Sequence, residues 1–158
     1  MDESERLSRL EERVARLESG PVPVPSADVF WALEGLKVHS PDAVLFTGSV
    51  TLPTGERYEW QMTRPAQELL DDDWSQQIAT LSALAHPVRL LLLREVLHGA
   101  RSNAELSAHE QLGTTGQLYH HLRQLVAAGW LRNTARGQYE VPGERVVPLL
   151  AVLAAARR

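Results

Sequence analysis

One short stretch, residues 114–125, concentrates side chains that could do chemistry or contact a ligand. It reads TTGQLYHHLRQL and combines two hydroxyls, two amides, a tyrosine, two adjacent histidines and an arginine among regularly spaced leucines. Such side chains serve as metal ligands, as general bases, as core residues or as a surface that contacts another molecule. The helical geometry of the stretch decides between these alternatives.

The two histidines are predicted to lie on different faces of one helix. Leu118, Leu122 and Leu125 have helical spacing and form its core face. Adjacent helix residues diverge by about 100°, whereas chelating pairs on a helix are usually spaced three or four apart. We therefore expect His120 to face outward and His121 to flank the core and hydrogen-bond within the fold. Neither a metal site nor a cofactor is predicted.

The outward face of this helix carries hydrogen-bonding groups and no acidic or large aliphatic side chain. Hydroxyl, amide, imidazole and guanidinium groups can contact base edges and phosphates. A helix N-terminus attracts phosphate, and a glycine there permits close approach of a backbone. The face comprises Thr114, Thr115, Gly116, Gln117, His120, Arg123 and Gln124, with Tyr119 on its flank.

The elements around this helix predict an order of helix, turn, helix and β-hairpin. SNAE at 102–105 has the capping-box pattern and starts a short helix through roughly His109. After QLGTTG, the second helix starts near Thr114 or Thr115 and runs to about Ala128. The strands WLRNT and QYEV flank an ARG turn, and a last helix begins after Gly143. This order describes a winged helix-turn-helix.

The first 26 residues predict a short coiled-coil helix and a linker. Residues 1–19 carry an a/d pattern, and Arg and Glu at the g and e positions favour a parallel pair of chains. The alternative is a lone amphipathic helix docked on its own domain. Residues 20–26, GPVPVPS, form a semi-rigid spacer. The predicted coiled-coil dimer contacts are Leu7, Leu10, Val14 and Leu17.

Residues 27–70 predict a helix followed by a β-hairpin. Ser26 is expected to cap the helix, and AVLFTGSVTL and ERYEWQM form two strands around a PTG turn. The aromatic side chains of this extension either frame a small-molecule pocket or form its core, and core packing is the favoured interpretation. These side chains are Phe30, Trp31, Phe46, Tyr58 and Trp60.

Residues 71–158 form the predicted winged helix-turn-helix domain. DDDW at 71–74 is expected to place three carboxylates at the N-terminus of a helix that runs to about Ala85. A divalent-metal site there is the less favoured alternative. Pro87 starts the next helix, VRLLLLREVLHG, which is apolar nearly all round and is expected at the centre of the core.

Charge is divided unevenly along the 158 residues. Residues 1–75 hold 7 Lys and Arg against 15 Asp and Glu, a balance of −8, and residues 76–158 hold 9 Arg against 5 Glu, a balance of +4, which together give the net −4. A basic C-terminal half suggests an anionic partner. The sequence has no cysteine, no membrane-spanning run and no signal peptide, which is compatible with a cytoplasmic protein.

Residues 76–158 resemble the ArsR-type family of bacterial transcriptional regulators. The resemblance rests on LSALAHPVRLLLLREVL, AELS, YHHLRQLVAAGWL and the RGQY wing. It implies a homodimer, built largely through its first and last helices, that binds operator DNA and often represses nearby genes. The implied DNA-contacting positions are Thr114, Thr115, Gly116, Gln117, Tyr119 and His120, with Arg136 at the wing tip. Arg123, Arg132 and, less firmly, Arg101 are expected to contact phosphates, and the last helix offers Val146, Leu149, Leu150 and Leu153 for dimerisation.

This chain departs from the family at its metal-sensing sites. It has no cysteine, and after Glu144 its last helix has no His, Asp or Glu. The expected function is a dimeric, sequence-specific DNA-binding regulator in the cytoplasm, nucleoid-associated when bound to DNA, that does not sense metals in the usual way. An unknown small-molecule or protein effector is left open. The alternative is a winged-helix adaptor without DNA binding, and no enzyme motif is found.

Overall fold

The computed structural model describes residues 6, 9 and 29–158. The predicted coiled-coil contacts, the proline-rich spacer and the cap at Ser26 lie outside the described residues. The chain divides into two compact units, Met1–Pro41 and Asp42–Arg158. In the first unit, helix α1 spans Trp31–His39 and begins after Phe30. The sequence pattern predicts Val29, Phe30, Leu33 and Leu36 as the apolar face of this helix, but Val29 and Phe30 precede it.

The second unit combines helices with two small antiparallel hairpins. Its strands are β1 (Ala43–Thr51), β2 (Arg57–Pro65), β3 (Arg132–Ala135) and β4 (Gln138–Glu140). Its helices are α2 (Ala66–Asp71), α3 (Ile78–Leu84), α4 (Pro87–Leu97), α5 (Asn103–Ser107), α6 (Thr115–Ala127) and α7 (Gly143–Ala155), with short 3-10 turns at Trp74–Gln77 and Glu110–Leu112. The predicted order of helix, turn, helix and hairpin is confirmed between α5 and β4. Among the described helices, none is long and apolar enough to cross a membrane.

The first hairpin packs against α7. Val50 pairs with Tyr58 and Gly48 pairs with Trp60, so these four residues lie on one face of the hairpin. Val50 and Tyr58 pack against the buried core. A Cβ at Gly48 would lie 2.7 Å from a methyl of Val147 on α7, so glycine lets strand and helix approach closely. The interpretation of this face as core is therefore supported at Tyr58.

The acidic run at residues 71–73 differs from its prediction in one respect. Asp71 ends α2, a helix that was not predicted, and the extended backbone of Asp72 separates α2 from the 3-10 turn at Trp74–Gln77. Asp73 then caps this turn by accepting a hydrogen bond of 3.0 Å from the Ser75 N–H. Hydrogen bonding from Ser75, through its side chain and then through its backbone N–H, lowers the pKa of Asp73. Capping is thus confirmed for Asp73 and wrong for Asp71.

The core is centred on α4, as predicted. His86 caps this helix by accepting a hydrogen bond from the Val88 N–H, and Pro87 occupies the first helical position. Its apolar residues meet leucines from α5, α6 and α7 in one cluster. The residues with the least exposure are Leu92, Val96, Leu106, Leu112, Leu118, Leu122, Leu125, Val146 and Leu149.

Candidate nucleic-acid interface

Helix α6 begins with a capping box made by its own first residues. The Thr114 hydroxyl accepts a hydrogen bond from the Gln117 N–H, and the Gln117 side-chain oxygen accepts one of 3.0 Å from the Thr114 N–H. The S/T-x-x-E/Q spacing of residues 114–117 is the sequence signal for this reciprocal arrangement, and we did not predict it. Gln117 therefore has a local role in capping α6.

The two faces of α6 are as predicted. Leu118, Leu122 and Leu125 are buried in the core. The predicted contact residues on this helix are all exposed to solvent, so the structure brings them together on one accessible surface. We call this surface the α6 face: Thr114, Thr115, Gly116, Gln117, Tyr119, His120 and Arg123.

Gly116 has no packing reason to be glycine. A Cβ built there meets nothing within 4 Å, and its backbone is ordinary helix. Glycine costs a helix roughly 0.5–1 kcal/mol relative to alanine. The fold therefore does not require a glycine at this position. In the first turn of an exposed helix, the absence of a side chain lets another molecule approach the backbone and its free N–H groups.

Gln124 is exposed, as predicted, but its side-chain oxygen is hydrogen-bonded within the fold. Its side-chain oxygen accepts a hydrogen bond of 2.6 Å from Arg89. Arg89 also donates to the carbonyls of Ala83 and Ser82 at the end of α3. The Arg89–Gln124 hydrogen bond thus links α6 to α3 and α4. Arg89, 35 positions away in the sequence, binds the amide oxygen that we expected to face an external partner.

His120 and His121 lie in different environments, as predicted, but the hydrogen bond expected for His121 is not found among the described residues. His120 is exposed, whereas His121 is half-buried with its ring centroid 4.5 Å from that of His86. Burial, followed by the nearby His86, Arg89 and His120, lowers the pKa of His121. The expected internal hydrogen bond is absent: the buried Nδ1 of His121 has no partner in the part of the chain that the structure describes. Within that part, no group of three or more His, Asp or Glu could hold a metal ion.

Within the part of the chain that the structure describes, Arg136 of the β3–β4 hairpin has no carboxylate partner, whereas Arg132 has one. Arg136 lies exposed at the turn of this hairpin, beside Gly137 with a φ of 70°. Arg132 instead pairs with Glu140 on the neighbouring strand, at 2.5 Å. Because the register places these two residues opposite each other, the Glu140 carboxylate already neutralises the guanidinium that we predicted to contact phosphate.

Arg101 also has a carboxylate partner. Its guanidinium forms an ion pair with Glu56, in the turn between β1 and β2. Its backbone carbonyl accepts a hydrogen bond of 2.8 Å from the Tyr139 N–H on β4. Arg101 therefore links the first hairpin to the second, and its phosphate contact stays a prediction for a side chain that already has a carboxylate partner.

We expect the Glu56–Arg101 pair to stabilise the fold in a pH-dependent way. Hydrogen bonding to Arg101 is the main cause that lowers the pKa of Glu56. A carboxyl group whose pKa falls on folding stabilises the protein above its unfolded pKa and loses that contribution as the pH falls through its folded pKa. Glu56→Gln should therefore lower the free energy of unfolding by about 0.5–1 kcal/mol at neutral pH.

Urea unfolding at a series of pH values measures this effect. The difference between Glu56→Gln and the parent protein should shrink as the pH falls through the carboxyl range. Glu59→Gln is the matched control, since Glu59 pairs with Arg57 on the exposed surface of one strand. A pH-independent difference for Glu56→Gln would contradict the assignment.

The predicted dimer contacts of the last helix divide into two groups. Val146 and Leu149 lie inside the core of this chain, so they are not available to a partner, and that part of the prediction is wrong. Leu150 is half-buried and Leu153 is 38% exposed. Sequence analysis missed a more exposed apolar stripe, Trp74, Ile78 and Leu81, whose exposed fractions are 68%, 62% and 53%.

Comparisons with protein-family models, curated proteins and solved structures found no match for this chain. The functional interpretation therefore depends on the residues and the geometry described above.

Proposed function

We propose that this protein is a dimeric, sequence-specific DNA-binding transcriptional regulator. In this proposal, α5, α6 and the β3–β4 hairpin act as a winged helix-turn-helix, with α6 in the major groove and Arg136 near the backbone or minor groove. The α6 face supports it best: an exposed, acid-free set of donors and acceptors around an open glycine at a helix N-terminus. Similarity to the ArsR-type pattern between residues 76 and 158 agrees with this assignment.

The proposed dimer would bury the exposed apolar stripe of Trp74, Ile78 and Leu81. These residues have helical spacing. Ile78 and Leu81 lie at the start of the region that resembles the family, where the resemblance places a dimer helix, and Trp74 immediately precedes that region. A second subunit would then present a second α6 to the DNA. The protein would act in the cytoplasm, on DNA, and its last helix would not sense metals.

Fluorescence anisotropy over a salt series tests the proposal directly. The DNA upstream of the gene for this protein is compared with a scrambled duplex of the same composition. We expect tighter binding to the upstream DNA and, if Arg123 and Arg136 of both subunits each contact a phosphate, a slope of log K against log salt of roughly −3.6. Equal, weak binding to both duplexes would lead to selection from genomic fragments, and no binding to either would contradict the proposal.

A second candidate function is a winged-helix adaptor that binds protein and not DNA. It is favoured by the pairing of Arg132 with Glu140 and of Arg101 with Glu56, which removes two cations from the basic half of the chain. Retention on bulk DNA at low salt distinguishes the two. The regulator is retained and elutes with salt, whereas the adaptor passes through.

Gln117→Glu should weaken DNA binding without unfolding α6. A glutamate at this position keeps the capping box, because its carboxylate can accept the Thr114 N–H, but it removes the amide donors that read a base. We expect a loss of sequence discrimination worth about 1–3 kcal/mol. Gln117→Ala removes both functions and should also destabilise the helix.

Anisotropy on the two duplexes measures the discrimination, and thermal unfolding of the free protein measures the helix. Unchanged preference for the upstream DNA in Gln117→Glu would show that this side chain only caps the helix. Gln111→Glu, an exposed substitution of the same type before the helix, is the control for added charge.

A further inference from the structure

A groove of about 440 Å³ lies between α4 and α7, away from the α6 face. Its floor is made by buried leucines, among them Leu93 and Leu97 of α4 and Leu149 of α7. The accessible Leu150 and Leu153 form the α7 side. Small-molecule sites in proteins are typically apolar clefts of about 300–1,000 Å³ with a few polar groups, and this groove has that size and lining.

Two polar side chains line the groove, and both are on α4. Arg94 and His98 are exposed and lie one helical turn apart. The Nδ1 of His98 is 2.7 Å from the Arg94 carbonyl. A carbonyl can only accept, so Nδ1 carries the proton and Nε2 faces outward. Among the residues that the structure describes, Arg94 forms no ion pair.

An apolar floor beside an unpaired guanidinium fits a particular class of ligand. We propose that the groove binds a small aliphatic carboxylic acid, with its chain between α4 and α7 and its carboxylate on Arg94. Arg and carboxylate form charge-assisted, often bidentate hydrogen bonds. The leucine floor would remove the aliphatic chain from water.

The length of the groove favours a small molecule over a second protein chain. From Leu90 to His98, α4 rises about 12 Å. A contact of that length is too short by itself to bury the roughly 1,200–2,000 Å² of a stable protein interface. We propose the exposed apolar stripe on and before α3 as the dimer contact, and we assign Leu150 and Leu153, which were predicted as dimer contacts, to the ligand instead.

Isothermal titration calorimetry with decanoate tests the proposal, with 1-decanol as a neutral probe of the same chain length. The full-length protein should bind decanoate at one site per chain and more tightly than 1-decanol. Arg94→Gln should weaken decanoate binding about 10-fold or more and leave 1-decanol binding unchanged. Arg64→Gln, which replaces an exposed arginine on β2, is the matched control and should bind as the parent does.

A second variant tests the location. Leu153→Trp fills the groove from its exposed side and should abolish binding of both probes, while circular dichroism confirms that the variant is folded. Equal affinity for the two probes, or an unchanged affinity in Arg94→Gln, would overturn the assignment of a carboxylate. Failure of decanoate to bind would overturn the proposal. If Leu153→Trp also dissociated a dimer in sedimentation velocity, a second copy would be the occupant.

A ligand in this groove would contact a helix that supports the α6 face. Helix α4 forms one wall of the groove and also packs against α6. If the protein binds DNA as proposed, decanoate should change the affinity for the upstream duplex. The effect on DNA affinity rests on the proposed function, whereas calorimetry of decanoate binding needs no DNA. Failure of the groove proposal is therefore distinguishable from failure of the proposed function.

Discussion

Trp130→Ala is expected to lower the free energy of unfolding by about 3–5 kcal/mol. The side chain is only 2% exposed, and its indole N–H donates a hydrogen bond of 2.8 Å to the Thr80 carbonyl on α3. The Arg145 guanidinium of α7 lies 5.0 Å from the ring centroid, within the range of a cation–π interaction. Alanine would leave a cavity between α3 and α7. It would also remove the hydrogen-bond donor to the Thr80 carbonyl and the ring that the Arg145 guanidinium contacts.

Urea unfolding followed by circular dichroism measures this loss without depending on tryptophan fluorescence. Trp130→Phe keeps most of the volume and loses the N–H, so it should cost about 1–2 kcal/mol. Trp31→Ala is the matched control, because Trp31 is 68% exposed and should change stability little. Similar losses for Trp31→Ala and Trp130→Ala would contradict the assignment of Trp130 to the core.

Gly116→Glu is expected to weaken DNA binding by about 100-fold or more. In the proposed complex the new carboxylate would lie against phosphate, and like charges brought together at an interface cost several kcal/mol. The free protein should not be harmed, since a Cβ at this position meets nothing within 4 Å. An acidic residue in the first turn also interacts favourably with the helix dipole. Affinity and stability should therefore change in opposite directions.

Gly116→Ala separates the effect of side-chain volume on DNA affinity from the effect of charge. Alanine should stabilise the helix by roughly 0.5–1 kcal/mol and reduce affinity for DNA to a smaller extent than glutamate. Gly35→Glu is the matched control: it makes the same change at another helical glycine, in α1, where a Cβ also meets nothing within 4 Å. DNA affinity that survives Gly116→Glu would remove α6 from the proposed interface.

Sequence reasoning predicted the two faces of α6 because the apolar period of a helix is local. Leu118, Leu122 and Leu125 recur with helical spacing, and the side chains opposite them must then face solvent. The capping box at Ser102 and the proline start of α4 followed from equally local rules. Local patterns therefore accounted for most of the helices and both hairpins.

Some of the differences from prediction concern partners that other segments of the chain supply. Arg89 reaches Gln124, and Arg101 reaches Glu56, through folding that brings separate segments together. The pairing of Arg132 with Glu140 depends on the strand register, which one intervening bulge can alter. Whether an arginine is free or paired is decided by such contacts, and periodicity carries no information about them.

The close packing of β1 on α7 limits how this protein can be shortened. A fragment that began at residue 71 would include all of the region that resembles the family, but it would lack the strand whose Gly48 lies against Val147. It would also lack Glu56, the partner of Arg101. An apolar strip of α7 would then face water, and such strips promote aggregation. A soluble fragment for binding or crystallisation trials should therefore begin before β1, at about residue 42.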